Sequence, residues 1–111
     1  MTAPLQMDTH NVPVTAWEIA PIDNLDQITV YFQDYELGKG KVTLECWGGA
    51  WSSYFGAMGS KTIQQFFLSC GPDYLVNKLS GAQSLKQTKT AQKYLRRVVE
   101  AAQSGLREVR R

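Results

Sequence analysis

The chain has 111 residues, 43% of them hydrophobic and 20% charged, with a formal net charge of +2. That length makes one domain with a single modest core, without need of a metal or disulfide staple. No apolar run approaches the roughly 18 residues of a membrane span, and Met1–Asp8 holds neither the basic nor the apolar region of a secretory signal, so the expected location is cytoplasmic.

Cys46 and Cys70 are too few for a disulfide framework or a zinc site, because zinc needs about four ligands and His10 is the only histidine. Both are expected to be reduced and to act as small apolar residues. A Cys46–Cys70 bond would require the fold to bring them together. Neither a metal nor a cofactor is expected. The charge is unevenly spread: Met1 to Lys78 carries four basic and eight acidic residues, and Leu79 to Arg111 carries eight basic and two acidic. The tail is therefore basic on an otherwise acidic chain.

Residues 1–16 hold two of the four prolines and show no periodicity; they read as a flexible N-terminal arm. Residues 17–111 form the single domain. Trp17-Glu18-Ile19 is a short extended piece ended by Ala20-Pro21, since a residue before proline is pushed out of the helical region. Gln27–Gln33 is β-branched and aromatic, with Ile28, Val30 and Phe32 on one face and Thr29, Tyr31 and Gln33 on the other. Lys41–Trp47 repeats the pattern with Val42, Leu44 and Cys46. The polar stretch Asp34–Gly40 between them predicts a hairpin connection longer than the tight two-residue type. A third strand, Trp51–Ala57, turns back through Gly48-Gly49.

The period then changes. Thr62-Ile63-Gln64-Gln65 has the capping-box spacing, opening a short helix from Ile63 to Ser69 that ends at Gly71. Pro72 suits the first turn of a second short helix, Asp73 to Leu79, with Asp73 favourable at its start. Ala82–Gln87 is a linker. Ala91, Tyr94, Leu95, Val98, Val99, Ala102, Leu106 and Val109 recur at three- and four-residue steps, a long amphipathic helix capped by Thr88 or Thr90. Gly105 weakens its last turns by roughly 1 kcal/mol relative to alanine. The expected fold class is α+β: a three-stranded antiparallel meander, two short helices and a longer C-terminal helix. Ile28, Val30, Val42, Leu44, Leu95 and Val98 form its expected core, because the sheet face and the helical stripe each need a cover.

Catalytic chemistry is not legible. His10 lies in the expected arm, and an unpacked arm would not hold a base in place. Asp34 and Glu36 are two residues apart in a loop, a spacing usual for solubility. Gly38-Lys39-Gly40-Lys41 is too short for a phosphate loop and lies between strands. The expectation is a protein that is not an enzyme, has no catalytic residues and takes no small-molecule substrate.

Two binding surfaces compete. Seven of the twelve aromatics lie between Trp47 and Tyr74. If the aliphatic residues fill one sheet face, Tyr31, Trp47, Trp51, Tyr54 and Phe55 are candidate protein-binding anchors; the bland alternative is that the short helices pack on those rings. Lys89, Lys93, Arg96, Arg97 and Arg107 form a candidate patch for nucleic acid or electrostatic steering, and Lys86, Arg110 and Arg111 extend it. Such a stripe is also the ordinary solvated face of an amphipathic helix.

The run from Gly38 to Gly59, dense in glycine, lysine and tryptophan, with Phe66-Phe67-Leu68-Ser69-Cys70 and Asp73-Tyr74-Leu75 after it, resembles small early-region proteins of tailed, lambdoid-type bacteriophages. The resemblance covers roughly Trp17 to Leu79 and carries no family site residue with it. It implies a phage-encoded, non-enzymatic protein, located in the host cytoplasm, that binds and inhibits or modifies a host protein of DNA processing or defence. Proteins that act on the RecBCD nuclease are the nearest such class. The alternative is a nucleic-acid-binding accessory protein of phage recombination that uses the basic C-terminal helix.

Overall fold

The structure, a computed structural model, describes residues 9–22, 24–81 and 88–109. Residues 1–8 of the expected arm and the expected linker at 82–87 lie outside the described residues, as do Arg110 and Arg111. The elements in chain order are β1 (Val14–Ile19), β2 (Ile28–Glu36), β3 (Lys39–Cys46), β4 (Gly49–Phe55), α1 (Ile63–Ser69), α2 (Pro72–Gly81) and α3 (Lys89–Val109). The fold is α+β, with all strand pairs antiparallel and sheet order β1-β2-β3-β4.

The sheet has four strands where the sequence predicts three. Trp17-Glu18-Ile19 is the end of a six-residue strand, β1, that begins at Val14 and pairs along β2 from Val14–Gln33 to Ile19–Ile28. Ala16 and Glu18 are poor strand formers, so its pairing comes from the ladder that β2 offers rather than from local preference.

The β2–β3 connection is also tighter than expected. Strand pairing runs on to Glu36 and Lys39, with an irregularity between Asp34 and Glu36, leaving only Leu37-Gly38 as the turn. Gly38 has φ +87°, and a side chain there would lie 2.5 Å from the Gly59 carbonyl. Its carbonyl accepts from the Met58 N–H at 3.0 Å, so the turn is tied to the segment entering α1. Asp34 is no solubility residue: its Oδ1 accepts from the Ile63 N–H at 2.8 Å, at the start of α1. The Thr62–Gln65 capping box closes the same helix end.

The three helices lie over one face of the sheet. Ile28, Val30, Phe32, Val42, Leu44, Cys46 and Phe55 meet Ile63, Phe67, Leu75, Leu79, Leu95, Val98, Val99 and Leu106 in one buried cluster. All six residues expected at its centre are buried. Phe32 and Phe67 meet edge to face at 5.7 Å between centroids. Gly40 lets α1 approach β3: a Cβ there would lie 2.8 Å from Ile63 Cβ. Gly105 does the same for α3, where an added Cβ would lie 2.9 Å from Ile19 Cγ1. The helix continues through it to Val109.

Candidate protein-binding surface

Among the described residues, no helix covers the opposite sheet face. Strand register sets its side chains in rows: Glu18, Thr29, Glu45 and Ala50 in one; Ala16, Tyr31, Thr43 and Ser52 in the next; Val14, Gln33, Lys41 and Tyr54 in the third. Tyr31 donates its hydroxyl to Glu45 Oε1 at 3.1 Å, and the Thr43 and Ser52 hydroxyls are 3.1 Å apart. Tyr54 is exposed and lies against exposed Tyr35, with ring centroids 5.9 Å apart.

Trp47 stands at one end of this face. It is the first residue of the two-residue β3–β4 turn, with φ 54° at Trp47 and 75° at Gly48. Positive φ at both positions defines a type I′ turn, whose twist suits a tight hairpin and whose usual residues are asparagine or aspartate followed by glycine. A bulky aromatic there is an outlier. Trp47 is also 78% exposed. Beside it, Gln27, Thr29, Glu45, Gly48 and Gly49 line an open cleft of about 300 Å³.

The five expected anchors thus divide among three places. Tyr31 and Tyr54 lie on the open face and Trp47 at its end. Trp51 sits opposite Leu44 on the helix-covered face, half-buried, with its ring 5.9 Å from Tyr94. Phe55 is buried, its ring 5.0 Å from Phe66 and 6.3 Å from Tyr74. Phe55 thus touches rings of the two short helices, the packing weighed against its anchor role, whereas Trp51 touches the long helix α3, which that alternative does not include. The sequence reading passed over Tyr35 and Glu45. Period-two alternation through β3 puts Glu45 on the face of Thr43, and that was its available signal. Tyr35 was hidden by the longer loop assigned to its segment.

The basic patch divides too. Arg96 pairs with Asp73 and with Glu100, the latter at 3.1 Å. Arg107 donates to the Leu68 carbonyl at 2.8 Å. With Gln103, whose Nε2 donates to the Phe67 and Cys70 carbonyls at 2.9 Å each, it satisfies the C-terminal end of α1. Lys89, Lys93 and Arg97 are exposed on α3.

The family profile Phage_phiTE_072, described as a phage family, matches residues 7–108. The chain belongs to this phage family. No curated protein and no solved structure gives a match.

The chemistry available to the phage protein follows from these environments. Cys46 and Cys70 are both free thiols. Tyr94 donates its hydroxyl to Cys46 Sγ at 3.4 Å. That bond, together with burial, pushes the Tyr94 phenol up to about 12. The Tyr31 phenol is raised by its hydrogen bond to Glu45, and burial raises the Cys70 thiol. Each shift holds the group in its neutral, less reactive form. Among the described residues no group of three or more His, Cys, Asp or Glu side chains could hold a metal ion. Among them, too, no helix is long and apolar enough to cross a membrane.

Proposed function

We propose that this phage protein is a non-enzymatic binder that docks on a host protein through the Trp47 end of its open sheet face. The proposed target class is a host enzyme of DNA processing or defence, inhibited or modified by occlusion or by an allosteric effect. A RecBCD-type nuclease is the instance favoured by the sequence resemblance. The observation that carries the reading is Trp47. A non-glycine residue held in the left-handed region costs of order 1–3 kcal/mol, and an asparagine would fill the turn more cheaply. With 78% of its surface in water, the indole does not recover that cost by packing in the core. Desolvating an exposed tryptophan against a partner is a use that accounts for it. The basic side of α3 then contributes mainly to encounter rate.

This reading is favoured over direct nucleic-acid binding by two features. Arg96 and Arg107 are engaged within the protein, and the open face carries Glu18 and Glu45, which repel phosphate. The test is affinity capture from nuclease-treated host lysate, with the partner identified by mass spectrometry and then purified. Trp47→Ala should abolish capture while the circular dichroism spectrum stays unchanged. Recovery that disappears with nuclease, and falls in the Arg96→Ala, Arg97→Ala double variant instead, would establish the nucleic-acid reading.

A further inference from the structure

We propose that the cleft beside Trp47 receives the guanidinium group of an arginine on the partner protein. The inference rests on the reading of Trp47 as the docking anchor and names what sits next to it. A planar cation is recognised by an aromatic face and a carboxylate together, through cation–π attraction and charge-assisted hydrogen bonds. Both elements line this cleft. The turn fixes the backbone from which Trp47 projects, and Glu45 lies on the adjoining row of the sheet. The Tyr31 hydroxyl, bonded to Glu45 Oε1, orients the carboxylate.

The local charge is complementary to such a ligand. Among the described residues no basic side chain lines the cleft. Glu18 stands in the same row as Glu45, with only Thr29 between them, about 10 Å away at the usual strand spacing. The nearest base on this face of β3, Lys41, is two rungs down the strand from Glu45. An anionic side chain would be repelled here, and an aliphatic one would desolvate the carboxylate without bringing it a cationic partner. A volume of about 300 Å³ lies at the bottom of the range for small-molecule sites, which suits one long side chain better than a cofactor. Gly48, where an added Cβ would meet nothing within 4 Å, leaves the rim open to an approaching backbone.

The experiment is titration of the isotope-labelled full chain with N-acetyl-arginine amide, followed by proton–nitrogen correlation NMR. The neutral citrulline analogue and the lysine analogue serve as comparison ligands. The expected result is saturable shifts of the Trp47 indole N–H and the Thr29, Gly48 and Gly49 amides, with an affinity in the millimolar range typical of so small a ligand. Glu45→Gln, a surface change, should weaken it at least about fivefold by removing a charged acceptor, and citrulline should give no saturable response. An equal response to citrulline, or unchanged affinity in Glu45→Gln, would overturn the proposal. So would shifts confined to other parts of the molecule. Equal response to lysine would reduce the site to a charge preference and overturn the guanidinium assignment. If Trp47→Ala abolishes host-protein capture while arginine leaves the cleft unperturbed, the anchor stands and the arginine inference fails. If Trp47→Ala leaves capture intact, the anchor itself fails.

Discussion

The two faces of the sheet are written by alternate residues of the same strands, yet they have different fates. Along β2 and β3, Ile28, Val30, Phe32, Val42, Leu44 and Cys46 are buried under the helices, while Thr29, Tyr31, Gln33, Lys41, Thr43 and Glu45 face the other way without a helix above them. The covered face is constrained by packing: its residues touch one another and any change of volume is felt. Among the described residues, the open face is constrained by its cross-strand neighbours. A costly feature on the covered face therefore has a structural account, and a costly feature at the edge of the open face, such as Trp47, calls for another.

Substitutions separate the faces by size of effect. Leu44→Ala, at a fully buried position, should cost about 2–5 kcal/mol in urea unfolding, whereas Lys41→Ala on the open face should stay within about 0.5 kcal/mol. Similar losses in the two variants would show that the faces are not distinct. Gly40→Ala comes next. Its new Cβ would lie 2.8 Å from Ile63 Cβ and 2.8 Å from the Gln33 carbonyl oxygen. Overpacking of this kind should cost about 1–3 kcal/mol, and a neutral result would mean that α1 can move off the sheet.

The tyrosines give the smallest and most local contrast. Tyr94, half-buried beside Cys46 on the covered side, is raised from 10.0 to about 12. A phenol raised in the folded state keeps its proton where the unfolded chain loses it. Its contribution is thus fully present below pH 10 and lost as the pH rises from about 10 to about 12. Tyr94→Phe should flatten the decline of stability across that window. Ultraviolet titration should show a tyrosine titrating at about pH 12 in the wild type, and that component should be missing from the variant. A wild type that lacks this late component would contradict the Tyr94–Cys46 contact.

The covered face was legible in the sequence because two periods, two for the strands and three to four for α3, each mark one apolar side. Capping chemistry made α1 legible as well, through Thr62 and Gln65. What escaped were features set by tertiary contact. β1 pairs because β2 presents a free edge, and the Leu37-Gly38 turn tightens because Gly38 docks on Met58 and Gly59. Gly105 reads locally as a weak point in α3, whereas it provides the space that Ile19 occupies. The aromatic cluster between Trp47 and Tyr74 was visible as composition, but its division between core and surface was not. Trp47 and Trp51 are only four residues apart, and the intervening turn sends one into solvent and the other toward Tyr94.

The central claim, that Trp47 occupies its turn for binding and not for folding, is tested most directly by Trp47→Asn. Asparagine suits the first position of a type I′ turn, so the variant should be more stable than wild type by about 1 kcal/mol, at the lower end of the relief expected for left-handed strain. It should also lose affinity for the captured host protein in calorimetric titration by at least about thirtyfold, the scale of an interface hot spot. A variant that loses stability, or one that binds the host protein as tightly as wild type, would contradict the account.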